Sequence, residues 1–134
     1  RLDSTSVGTS YCALSPNSAG PGARVSASGS TSVAQQDLVL QANGCPPNKP
    51  GLFVYGSQAA QVPLGNGLLC VGGAVGRRPA LVLSPTGTAA QLLNYTQTAI
   101  TAGSTWHFQL WFRDPAGLGA RFNLSNGLRV TFQP

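Results

Sequence analysis

Apolar and polar residues alternate in short bursts along most of this chain, and glycine, proline and asparagine separate the bursts. That pattern predicts strands joined by turns, and helical periodicity is missing. The clearest burst is TWHFQLWFRD. Trp106, Phe108, Leu110 and Phe112 fall on one face of it, and His107, Gln109, Trp111 and Arg113 on the other. Strand side chains point to opposite sides with period two, so the first set is expected to be core and the second to face outward. GLRVTFQ repeats the logic, with Leu128, Val130 and Phe132 inward, and the two runs are expected to be central strands.

Shorter runs predict further strands around Arg24–Ala27 and Leu38–Leu40, at GLFVYG (51–56), at LLCV after the Gly65-Asn66-Gly67 turn, at Ala80–Ser84 and at Ala89–Tyr95. Their spacing of about ten residues is that of a sandwich. The fold class expected is therefore all-β, a single antiparallel β-sandwich domain of Ig-like or jelly-roll-like kind over residues 11–134. Residues 1–10, rich in Ser and Thr, are expected to be a tether or exchangeable arm with Leu2 and Val7 as its only anchors. The chain shows no internal repeat, and its 134 residues suit one core.

Composition sharpens this. Charged residues make up 8% of the chain against about 25% in an ordinary soluble domain, so the surface must be built from hydroxyls, amides and small residues. The net charge of +5 comes from a scarcity of acids, with only Asp3, Asp37 and Asp114 present. Only Arg77 and Arg78 adjoin each other among the basic residues, without the interleaved aromatics of nucleic-acid binders, so no nucleic-acid partner is expected. No apolar run approaches the roughly 18 residues that cross a bilayer, so no membrane span is expected. With Arg1 first and no methionine anywhere, the chain reads as a mature product, its signal peptide removed, or as a fragment of something larger.

Cys12, Cys45 and Cys70 lack the paired spacing of zinc sites, and His107 is the only histidine; no metal and no cofactor are expected. In a chain this rich in Gly and Pro an extracellular disulfide is the better reading, and the odd count leaves one thiol over.

The supply of catalytic groups is thin. Asp114, beside Arg113 and Pro115, reads as a turn-former or a partner for an arginine. His107 with Ser104 lacks any nucleophile-elbow signature, and GGAVGRR lacks the ending of a phosphate loop, so its arginines are read as marking an exposed loop. No enzyme is expected. An outward-facing Trp111 beside Gln109 and Arg113 is the arrangement on which a sugar ring stacks, and Tyr55 carries the same promise; these four are the candidate ligand-binding residues.

The blocks PPNKPGLFVYG (46–56), LLCVGG (68–73), WHFQLWFRDP (106–115) and FNLSNGLRVTF (122–132), with a Tyr11-Cys12 pair followed by PNSAG (16–20), resemble a module at the C-terminal ends of large secreted proteins of planctomycetes and myxobacteria. The resemblance covers nearly all of residues 11–134. It implies an appended extracellular β-sandwich without activity of its own, serving attachment, sorting or assembly. Members often carry Leu where this chain has Cys45, which implies that Cys12 and Cys70 are the recurrent pair and Cys45 the odd cysteine. The function expected is a secreted or cell-surface structural or adhesive module. It would contact copies of itself, a larger parent chain or a cell surface, and could serve as a fibre subunit through strand addition. The alternative is a carbohydrate-binding module that takes polysaccharide on its exposed aromatics.

Overall fold

The computed structural model describes residues 7–134, which form an all-β, antiparallel β-sandwich in one small domain. Twelve strands run in chain order among the described residues. They are β1 (Thr9–Tyr11), β2 (Arg24–Ser28), β3 (Val39–Asn43), β4 (Pro50–Gly56), β5 (Gln58–Leu64), β6 (Gly67–Gly72), β7 (Gly76–Arg77), β8 (Leu81–Val82), β9 (Ala89–Leu92), β10 (Thr105–Arg113), β11 (Phe122–Leu124) and β12 (Gly127–Thr131). Helical turns at Tyr95–Thr98, which leads from β9 toward β10, and at Pro115–Gly117 complete the described elements, and no helix among the described residues is long and apolar enough to cross a membrane.

The large sheet is ordered β1-β12-β10-β4-β7, with β11 also on β10 and β8 also on β4. A smaller sheet, β2-β3-β9, packs on one of its faces. Between them lies the core. Val25, Ala27, Leu38, Leu40 and Ala42 come from the small-sheet side, and Phe53, Phe108, Leu110, Phe112, Leu128, Val130 and Phe132 from the large sheet. Phe53, Phe108, Phe112 and Phe132 are fully buried, each worth about 1.5–3 kcal/mol of transfer free energy. The expected spine of β10 holds at three of its four positions. Trp106, at the strand's start, is only partly buried, its indole nitrogen donating to Ser104 Oγ at 3.1 Å.

The opposite face of the large sheet is covered as well, by a hairpin made of β5 and β6. The chain leaves β4 for β5 through Gly56 and Ser57, where a Cβ on Gly56 would stand 2.3 Å from the Gly72 carbonyl oxygen, so the two backbones cross closer than a side chain allows. Gly65, at φ 58°, opens the two-residue turn between β5 and β6, the first-position glycine that twisted hairpins favour. Val54 and Leu124 beneath this hairpin, and Cys70 and Val71 within it, are buried outside the main core.

Thr9 and Ser10, assigned to the arm, pair with Arg129 and Leu128, and the Val7 amide donates to the Ala27 carbonyl at 2.9 Å; the described end of that segment is stitched across both sheets. Residues 1–6 lie outside the described residues. Arg78, read as loop-exposed, is 6% exposed, because Gly76 and Arg77 form β7 on β4 and the Arg78 amide donates to the Phe53 carbonyl.

Candidate functional site

The four residues read as a ligand platform do not share one surface. Tyr55 stands opposite Phe108 in the ladder and so faces the core, edge-on to Trp106 at 6.0 Å. Trp111 stands opposite Leu52, on the hairpin side.

Gln109 is not outward at all. It is fully buried, and it ties the hairpin down: its Oε1 accepts from the Cys70 amide at 2.8 Å, and its Nε2 donates to the carbonyls of Leu68 at 2.7 Å and Ser125 at 2.6 Å. One amide side chain thus supplies the outer edge of β6 with the donor and acceptor that another strand would have supplied. The burial of Gln109 follows from what covers the neighbouring strand β4. Leu52 to Tyr55 is apolar on both faces, which is the pattern of a strand covered on two sides.

The disulfide joins Cys12 to Cys70 across 58 positions, with Cα atoms 6.4 Å apart, and so fixes the same strand. Tyr11 adds a third tie by donating its hydroxyl to the Cys70 carbonyl, and burial pushes its phenol up to about 12, so it stays a donor. Cys45 is a buried thiol, pushed up to about 12 by burial. Held protonated, it is a poor nucleophile.

Beneath the pinned hairpin lies a cleft of about 210 Å³. Leu52, Val54, Trp111 and Leu124 of the large sheet form its floor, Leu64 and Leu69 of the hairpin one wall, and Val75 and Arg77 the remaining side. Trp111 leans on Phe122 at 5.5 Å between centroids, and the Arg113 guanidinium lies 5.5 Å from the Trp111 ring centre, a cation on an indole face. Trp111 and Arg113 are therefore brought together, on the cleft and beside it.

On the outer face of the small sheet a shallower, open depression of about 540 Å³ is lined by Ser26, Gln41, Asn43, Ser84, Thr88 and Ala90 among others. It is uncharged and lacks an aromatic ring.

Asp114 is 1% exposed, its carboxylate accepting from the Ser18 amide at 2.9 Å and from the Ser18 hydroxyl. Its backbone carbonyl accepts from the Gly117 amide, so it is a turn-former, and its polar partner is Ser18 where an arginine was expected as the alternative. Ser104 Oγ donates to the Thr101 carbonyl, and among the described residues no hydrogen bond joins it to His107. No group of three His, Cys, Asp or Glu gathers among the described residues.

His107, read as half exposed, is 7% exposed, with Tyr11 edge-on at 5.6 Å and no partner for Nδ1 among the described residues. Burial holds its imidazole below the ordinary value and Arg129 adds to this, while a backbone hydrogen bond at Gly56 opposes it. Below about pH 6.5 the unfolded chain therefore takes up a proton that the folded chain refuses. Stability is expected to fall as pH drops from about 6.5 toward the depressed folded value and then to level off. Urea unfolding between pH 7.5 and 5 checks this, and His107→Gln should flatten the profile; an unchanged slope in that variant would contradict the assignment.

The chain matches no family model, no curated protein and no solved structure.

Proposed function

We propose that this chain is a non-catalytic extracellular structural or adhesive module that attaches to copies of itself, to a parent chain or to a cell surface by strand addition. One observation carries the reading. β5 is seven residues long, QAAQVPL, without a charge, paired among the described residues only with β6, and exposed at all positions but Ala60. No backbone group of Gln58–Leu64 bonds outside that ladder among the described residues. An edge of this length and polarity is a template for another strand, since the usual protection by charge is missing and only Pro63 and the irregular register between Ala59 and Val62 blunt it.

The molecule's other edges are shorter or better guarded. Asn126 Oδ1 accepts from the Val25 amide at 2.9 Å, and Val7 reaches Ala27, so β2 is capped; Gln109 and Tyr11 cap β6. The disulfide, which suits an oxidising compartment, holds the hairpin in place while its free edge stays open. The resemblance to modules appended to large secreted proteins points the same way.

Light scattering and sedimentation of the purified chain test the proposal. Concentration-dependent association is expected, and Val62→Lys, a change at a side chain 53% exposed, should weaken it without lowering stability by more than about 0.5 kcal/mol. A wild-type chain that stays monomeric and is not retained on surfaces would sink the proposal. Retention on insoluble polysaccharide that Trp111→Ala abolishes would move the assignment to the carbohydrate-binding alternative.

A further inference from the structure

The cleft under the hairpin carries a chemistry that the free edge alone does not specify. Its volume of about 210 Å³ exceeds the roughly 150 Å³ that accommodates a benzene ring, so one aromatic or branched aliphatic side chain fits. Its mouth is apolar and open, with Leu64 40% and Val75 45% exposed, and the apolar surface runs on to Val62. A free small molecule sized to the cleft would leave that surface wet, whereas a polypeptide laid along β5 would cover it.

Strand geometry then links edge and cleft. Val62 and Leu64 lie two residues apart on β5, and Val62 stands opposite Leu69, so all three share one face, the one whose Leu64 and Leu69 wall the cleft. An incoming strand paired with β5 directs alternate side chains to that same face.

Charge narrows the partner further. Arg77 lines the cleft, and Arg113 rests on Trp111 beside it. Asp37 is bonded to Ser30 and Asp114 to Ser18, so among the described residues no carboxylate answers these cations.

We propose that the cleft is a socket for one bulky apolar side chain of a partner polypeptide that adds as a strand to β5, with a carboxylate two residues from that anchor meeting Arg77. The proposal rests on the reading of β5 as an attachment edge and names the chemistry of the strand that it accepts. Main-chain pairing supplies affinity, and the socket with its arginine supplies selectivity.

Fluorescence anisotropy on the intact, disulfide-bonded chain tests it with three labelled nine-residue Ser/Thr/Gln peptides. The first carries a central Phe with Asp two residues on, the second has that Phe replaced by Ala, and the third has that Asp replaced by Lys. The first should bind, and the other two should bind about tenfold or more weakly. Arg77→Glu, at an exposed side chain, should reverse the preference between the Asp and Lys peptides. Equal binding of all three peptides, or no binding of any up to about 1 mM, overturns the socket. So does displacement of the first peptide by free phenylacetate at concentrations matching the peptide's own, which marks a small-molecule site. Light scattering of the same samples separates the two ideas: self-association that Val62→Lys weakens but Arg77→Glu leaves unchanged keeps β5 as the edge and removes the socket.

Discussion

Breaking the Cys12–Cys70 bond, by reduction or as the double Cys12→Ser, Cys70→Ser variant, is expected to lower the free energy of unfolding by about 4 kcal/mol. The bond closes a loop across 58 positions, and closing a loop of that length removes chain entropy from the unfolded state worth about 4 kcal/mol in the chain-entropy treatment. Net stabilities of domains are only about 5–15 kcal/mol, so the loss is a large fraction of the whole. It should also be local in character. β6 sits outside the main core and is held by Cys70, Gln109 and Tyr11, so removal of the covalent tie should open the hairpin before the sandwich. Urea titration with and without reductant reads the first effect, and hydrogen exchange at Gln58–Gly72 against Phe108–Phe112 reads the second. A change below about 1 kcal/mol, or uniform exchange over both segments, would contradict the description of the hairpin as a pinned flap.

The second large effect is expected at Gln109. Gln109→Ala orphans the Cys70 amide and the carbonyls of Leu68 and Ser125, and leaves a void where a fully buried side chain stood. Each buried group left without a partner costs about 1–3 kcal/mol, so a loss of about 3 kcal/mol or more is expected. Arg113→Ala, at an exposed position on the same face of the same strand, serves as the control and should stay within about 1 kcal/mol. Equal effects at the two positions would show that Gln109 bears no more of the hairpin's attachment than a surface residue does. Because the cleft's walls include Leu64 and Leu69, the Gln109 variant should also lose whatever the cleft binds.

Most of the strands were legible from periodicity, and so was the side of each that enters the main core. Phe108, Leu110, Phe112, Leu128, Val130 and Phe132 are all buried as the alternation in β10 and β12 requires, and β12-β10-β4 do occupy the middle of the large sheet. β5 was missed because Gln58–Leu64 carries no strong strand pattern: two alanines, two glutamines and a proline are held extended only by pairing with β6. β1, β7 and β11 are two or three residues long, below what periodicity can register, and each exists only as a partner to a longer neighbour.

The candidate site was legible in part. Trp111 and Arg113 were found and do meet at the cleft; Tyr55 lies on the opposite face, and Gln109 is structural. Leu64, Leu69, Val75 and Leu124, which complete the cleft, are ordinary aliphatics that acquire meaning only once the hairpin folds over them.

What the sequence by itself determined is the alternation that puts one side of each long strand in a sandwich core, and a low charge content, 8%, that leaves a surface of hydroxyls, amides and small residues. Whether the residues on the far side of the large sheet see water was decided by the tertiary structure alone. The reason is physical: side-chain alternation states only that two faces differ, while the fate of the second face depends on a hairpin brought over it by a covalent bond between residues 58 positions apart and by one buried amide.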